Sequence, residues 1–141
     1  MKSQKDKSPE AQLILLAGLQ DQRDDLRTRS IRAIDLADNS IKEAALKTLL
    51  NIAQNDKKTY ARASAIIKLA GTGDAAYKNL MTESTKNQSY NVAVAGILGL
   101  SKYAPEEADK IKAALVLLLY FFKSFDGAVS NHSHDIATKF I

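Results

Sequence analysis

The chain is 141 residues long, 45% hydrophobic, with six glycines, two prolines and no cysteine. This suits one domain with a core, burying roughly 68% of the surface the unfolded chain exposes; it argues against a turn-rich β-sandwich and excludes disulfides, thiolate metal sites and cysteine nucleophiles. The net charge of +4 gathers in residues 1–70, which hold 13 Lys and Arg against 9 Asp and Glu, while residues 71–141 hold 7 of each. A basic half can steer an acidic partner, although a solvated, lysine-rich start accounts for much of the bias.

The opening Met1-Lys2-Ser3-Gln4-Lys5-Asp6-Lys7 has no apolar run of the signal-peptide kind. The longest apolar run, Ala113 to Phe122, falls short of the ~20 residues that span a bilayer. The expectation is a soluble chain, or a soluble piece of a longer one, of unknown compartment.

Helical periodicity then runs through the sequence. Ser8 and Pro9 cap a first helix to about Gln20. A second, from about Asp25 to Ala37, shows Leu26, Ser30, Ala33, Ile34 and Ala37 on one face, with Arg27, Arg32 and Asp35 on others. Ser40 with Glu43 reads as a capping box for a third helix, Ile41 to about Gln54, with Ile41, Ala45, Leu49, Ile52 and Ala53 inward. A fourth spans about Lys57 to Ala70 and is ended by Gly71-Thr72-Gly73. Asp74 caps a fifth to about Thr85, burying Tyr77, Leu80 and Met81. Ser89 caps a sixth to about Tyr103. Pro105 opens a seventh that reaches Phe122 or Lys123. Loops this short force antiparallel neighbours.

The segment from Arg29 to Ala37 lines up with Arg62 to Ala70 at an offset of 33, and Ile66-Ile67-Lys68-Leu69 with Ile97-Leu98-Gly99-Leu100 at an offset of 31. Ala65 and Gly96 take equivalent places, where small side chains let helix backbones approach. Such a period, with two helices per unit, marks an α-solenoid. The Trp-Leu-Gly-Tyr pattern of tetratricopeptide repeats and the Thr-Pro-Leu-His turn of ankyrin repeats are both missing. What remains resembles HEAT repeats: a polar turn, an early arginine such as Arg29 or Arg62, then Ala-x-x-aliphatic-x-Leu. The resemblance implies an all-α, right-handed α-α superhelix of seven or eight antiparallel helices in one domain over 1–141. Repeat helices would fill 8–123, and 124–141 would form a tail or capping helix.

Lys86-Asn87-Gln88-Ser89-Tyr90-Asn91-Val92-Ala93-Val94-Ala95, then Leu100 and Ala104-Pro105-Glu106-Glu107-Ala108, resemble more narrowly the C-terminal helical domain of bacterial aminopeptidase N family zinc peptidases, over about Ser8 to Ala114. That resemblance implies a fragment whose catalytic His-Glu-x-x-His helix lies on an earlier domain, and a role in closing over that domain to restrict substrate access. None of the family's catalytic residues is present, so no catalytic, cofactor-binding or metal residue carries over.

His132-Ser133-His134 with Asp135 supplies too few ligands for a stable metal site. Gly71-Thr72-Gly73-Asp74 lacks the lysine of a phosphate loop, and no serine sits in a Gly-x-Ser-x-Gly elbow. Arg23, Arg27, Arg29, Arg32, Lys57, Lys58 and Arg62 lie in corresponding regions of successive repeats; Arg27, Arg29, Arg32, Lys57, Lys58 and Arg62 are the candidate interaction surface. Some HEAT proteins, among them alkylpurine DNA glycosylases, meet phosphates on such a face. Interleaved Asp21, Asp24, Asp25, Asp35, Asp38 and Asp56 favour paired, solvated charges instead. The run from Ala113 to Phe122 is apolar all round and needs cover. Either the tail supplies it through Val129, Ile136, Phe140 and Ile141, or a partner or second copy does. Three readings compete: a non-catalytic scaffold packed on its own upstream peptidase domain, a stand-alone protein-binding repeat, and a basic repeat that binds nucleic acid, the least favoured.

Overall fold

The computed structural model describes residues 6–126. Over them the protein is helical, with α1 (Pro9–Gly18), α2 (Asp24–Ala33), α3 (Lys42–Asn55), α4 (Thr59–Ala70), α5 (Lys78–Ser84), α6 (Tyr90–Leu100) and α7 (Pro105–Asp126). A 3-10 turn at Ala75–Tyr77 leads into α5, and no strand occurs among the described residues. The histidine pair and the apolar tail positions from Val129 onward lie outside them.

Consecutive helices pair as α1 with α2, α3 with α4 and α5 with α6, while α2 packs on α4 and α4 on α6, so the even helices form one layer. α7 closes against α6. The core follows from this order: Ile31, Ile34, Ile66, Leu69 and Leu100 from the even side meet Leu19, Ala45, Leu49, Ile52 and Met81, all at most 5% exposed. No helix among the described residues is long and apolar enough to cross a membrane.

The same turn precedes each even helix. Asp21 Oδ1 accepts from the Arg23 N–H at 2.8 Å, Asp56 Oδ1 from Lys58 at 2.9 Å and Asn87 Oδ1 from Ser89 at 2.9 Å. Each of these is an Asx turn, in which the side chain imitates a backbone turn. Arg23, Lys58 and Ser89 are then N-caps with extended backbone and no side-chain cap of their own. Counted from these turns, α2 maps onto α4 at an offset of 35 (Asp24 to Thr59) and α4 onto α6 at 31 (Thr59 to Tyr90). The second offset is the one read from sequence; the first is two residues longer than the 33 that the sequence pattern suggested. At 35 the buried positions coincide: Ser30 with Ala65, Ile31 with Ile66, Ile34 with Leu69.

Small residues recur where layers touch. A Cβ on Gly96 would stand 2.7 Å from both Ser84 Cβ and the Thr85 backbone N and 2.8 Å from the Met81 carbonyl O, so only glycine lets α6 lie this close to α5. Ser30, at the equivalent place in α2, would meet a Cβ added to Gly18 of α1.

Several boundaries depart from the periodic reading. α2 ends at Ala33, not Ala37, because Gln12 reaches across from α1. Gln12 is 1% exposed; its Oε1 accepts from the Asp35 N–H at 2.8 Å and its Nε2 donates to the Asp6 carbonyl at 3.2 Å. The chain turns extended at Ile34 (ψ 136°), Ala37 is exposed, and Ile31 fills the core instead. The Ser40–Glu43 capping box does not form. Ser40 Oγ donates to Asp38 Oδ1 at 2.6 Å, a charged acceptor, and Ile41 becomes the N-cap without a side-chain bond. α4 starts at Thr59 rather than Lys57, because Asp56 draws Lys57 and Lys58 into its Asx turn. The fifth helix is a short α5 behind a 3-10 turn, since Gly73 (φ 70°) and an Asp74 side chain accepting from Ala76 at 3.0 Å set a tight entry. α6 stops at Leu100, where the Lys102 and Tyr103 N–H groups donate three residues back ahead of Pro105.

Candidate functional site

Of the six basic positions, Arg27 is built into the fold. Its side chain is 14% exposed and that of Asp56 8%; Nε donates to Asp56 Oδ2 at 2.8 Å and Nη2 to Oδ1 at 2.9 Å, a two-point fork. Nη1 donates to the carbonyls of Asp21 at 2.8 Å and Gln22 at 3.0 Å. One guanidinium thus ties the turn before α2 to the turn before α4. The hydrogen bond to Asp56 holds Arg27 above its ordinary pKa, against the opposing pull of burial. Burial pushes the Asp56 carboxyl up, but the bonds from Arg27 and from the Lys58 N–H outweigh it and leave the group below its ordinary value.

Arg62 occupies the place in α4 that Arg27 occupies in α2, four residues past the N-cap in each case. Its Nε donates to the Ala53 carbonyl at 3.2 Å, at the end of α3. It also edges a cleft of ≈ 720 Å³ between α3 and α5, together with Leu50, Tyr77, Leu80 and Glu83.

Arg29, Arg32, Lys57 and Lys58 are exposed. Arg32 lies with its guanidinium carbon 5.9 Å from the centroid of the Tyr60 ring, within cation–π range. On the 35- and 31-residue offsets, Arg32 of α2, Ile67 of α4 and Leu98 of α6 are equivalent, and all three are exposed, Ile67 at 48% and Leu98 at 45%. One outward position per even helix therefore carries a cation, then two aliphatic side chains. Beside this row a cavity of ≈ 420 Å³ opens between α2 and α4, lined by Ile31, Arg32, Ser64, Ile67, Lys68, Gly71 and Lys102. Lys68 and Lys102 on this cavity are not among the six basic positions singled out from the sequence, and α4 and α6 contain no aspartate or glutamate.

Other features bear on chemistry only weakly. No group of three or more His, Cys, Asp or Glu able to hold a metal occurs among the described residues. In α7, Leu117 and Tyr120 are exposed, as a helix apolar on several sides requires unless covered. Compared with known proteins, the chain matches no family model, no curated protein and no solved structure.

Proposed function

We propose that the chain is a non-catalytic helical-repeat scaffold of the HEAT type, a right-handed superhelix that holds another protein on its even-helix face. The observation that supports this most is the recurrence of one turn before each even helix, with equivalent residues buried on one side and exposed on the other. A stack built this way spends its core on self-association of hairpins and leaves a continuous outer row for a partner. The outer row here includes aliphatic side chains at 45–48% exposure, more apolar than a purely solvated face needs.

The segments that resemble the aminopeptidase-type helical domain sit at the starts of α6 and α7. On that resemblance the partner is an upstream peptidase domain of the same polypeptide, and the repeat restricts access to it. The alternative is a separate protein bound by a stand-alone repeat, or a second copy seated on the exposed side of α7 at Leu117. Nucleic acid fits less well, because Arg27 is committed to Asp56 and Arg62 is bonded to the Ala53 carbonyl. Photo-crosslinking in the native cell tests the reading. A crosslinker at Ile67 is expected to give one discrete protein adduct, and one at exposed Glu10 on α1 none. No adduct from the even-helix face, or hydrolysis of peptide amides by the isolated chain, would overturn it.

A further inference from the structure

Arg27 and Arg62 hold the same place in successive hairpins, yet only one has its fork filled. Arg27 reaches from α2 to the turn before the next even helix, where the two oxygens of Asp56 accept from Nε and Nη2. For Arg62, one repeat on, the residue of the next turn equivalent to Asp56 is Asn87, so a neutral amide stands where the first seam has a carboxylate. Arg62 keeps one bond, Nε to the Ala53 carbonyl at 3.2 Å, and its Nη1 and Nη2 make none among the described residues. The field of Asp56 reaches Arg62, but both Asp56 oxygens stay in the Arg27 fork. At this second seam the structure has a cleft. α3 packs on α4 and α5 on α6, and Arg62 and Asn87 both line the space of ≈ 720 Å³ left between α3 and α5. Leu50, Tyr77 and Leu80, all half-buried, are its apolar wall. Glu83 is the only acid on that lining, and it is paired with Lys86 at 3.1 Å.

We infer that this cleft binds a side-chain carboxylate from a segment of a partner protein, seated on the Nη groups of Arg62, with an apolar neighbour against Leu50, Tyr77 and Leu80. The bound carboxylate supplies the half of the clamp that Asp56 supplies at the first seam and Asn87 does not supply at the second. The site lies on the odd-helix side and stands apart from the outward row of the even helices. Its chemistry follows from geometry, since a guanidinium takes a carboxylate through two parallel N–H···O bonds and not through charge alone. Glu83 limits the ligand to one carboxylate: a single group gains the fork, whereas an acidic run or a phosphate backbone also meets the charge of Glu83. The apolar wall asks for an aliphatic or aromatic residue beside that carboxylate. The cleft is an open trough, so it suits a chain segment better than a free small acid, whose sites enclose most of the ligand surface.

The test is a heteronuclear NMR titration of the whole chain, read at the Arg62 Nε–H and the Asn87 side-chain amide. The probe is the blocked tripeptide acetyl-Leu-Glu-Leu-amide, compared with acetyl-Leu-Gln-Leu-amide, acetyl-Gly-Glu-Gly-amide and free N-acetyl-leucine. The leucine–glutamate tripeptide is expected to give saturable shifts at both signals and to bind at least about tenfold more tightly than each of the others. Asn87→Asp places the carboxylate within the chain and keeps the acceptor for the Ser89 N–H. It is expected to raise the thermal midpoint by about 2 °C or more and to weaken the tripeptide about tenfold or more. Arg62→Gln, checked for a folded melt and read at Asn87, is expected to abolish the preference for glutamate over glutamine; if that variant does not fold, Asn87→Asp carries the test. The inference is overturned by the absence of a saturable shift, by equal binding of the glutamate and glutamine tripeptides, or by an Asn87→Asp chain that melts no higher or binds as tightly as the parent. N-acetyl-leucine binding as tightly as the tripeptide overturns the partner segment in favour of a free small acid. The crosslinking result at Ile67 is independent of all these outcomes, so failure of the cleft and failure of the scaffold reading are told apart.

Discussion

Asp56→Ala is the sharpest test of how successive hairpins are held in register. The substitution removes both carboxylate oxygens from the Arg27 fork and the acceptor for the Lys58 N–H. Breaking a fully buried ion pair by deleting one partner costs about 3–5 kcal/mol. Here the stranded guanidinium keeps the carbonyls of Asp21 and Gln22 and is 14% exposed, so the low end applies, about 3 kcal/mol in all. For a chain of this size each kcal/mol moves the midpoint by roughly 3–5 °C, giving a fall of about 10 °C in a thermal melt followed by circular dichroism. Asp56→Asn retains an acceptor for Lys58 and one neutral acceptor for Arg27, and should lose about half as much. In a double-mutant cycle with Arg27→Ala the coupling should reach about 1.5–3 kcal/mol. By contrast Lys7–Asp35, Lys86–Glu83 and Lys112–Asp109 each have at least one well-exposed partner, and removing them should move the melt far less than Asp56→Ala does. An Asp56→Ala midpoint within about 2 °C of the parent, or a cycle with no coupling, would refute the idea that this fork braces the stack.

The other expectations concern close packing, a buried amide, an orphaned hydroxyl and acid pH. Gly96→Ala drives a methyl into the Thr85 and Met81 backbone and should cost about 2–3 kcal/mol by urea denaturation, whereas Gly99→Ala meets mainly the flexible Met81 side chain and should cost less; equal costs would contradict the backbone clash. Gln12→Leu strands the Asp35 N–H and should cost about 1–3 kcal/mol, with faster amide exchange at Asp35 as its local signature; unchanged exchange there would contradict the bond. The Tyr103 hydroxyl is buried without a partner, so Tyr103→Phe should be neutral or stabilising by up to about 1 kcal/mol, and a clear loss in the melt would reveal a bond to that oxygen. Asp56 is depressed in the folded chain relative to its ordinary value of 3.8, so its contribution is complete above that value and drains away as pH falls below it. In Asp56→Asn the stability curve should be flatter across that acid window, and a parallel curve would contradict the assignment.

Periodicity exposed much of the architecture because it reports which face of a helix is apolar. Ala45, Leu49, Ile52 and Ala53 of α3 and Ile41 at its N-cap are buried as that spacing requires, and the small residue at Gly96 marks a true close approach. What periodicity cannot report is a bond made by a distant residue. The end of α2 is set partly by Gln12, 23 positions before the N–H it captures; the local contribution is Asp35, whose Oδ1 accepts from the Ala37 N–H at 3.0 Å. Ser40 illustrates a different failure: Asp38 Oδ1 accepts from both the Ser40 N–H, which Glu43 would take in a capping box, and the Ser40 hydroxyl, and the capping-box pattern ignores this aspartate two residues earlier.

The register of the repeat is where these errors meet function. Aligning Arg29 with Arg62 at 33 residues makes both look like members of one outward basic ridge. Aligning the Asx turns at 35 places Arg27 with Arg62 instead, and both then point their guanidinium groups at neighbouring backbone carbonyls. A slip of two residues rotates a helical position by about 200°, from surface to interior, so it exchanges bracing residues for candidate binding residues. The turn residues Asp21, Asp56 and Asn87 fix that phase more securely than the aliphatic pattern does, because each Asx bond locates a helix start to the residue. On that phase the outward row becomes Arg32, Ile67 and Leu98. Charge counting along the chain could not make this distinction, since an arginine that clamps two turns and one on the outward row, such as Arg27 and Arg32, differ in the phase of their helix and not in their charge.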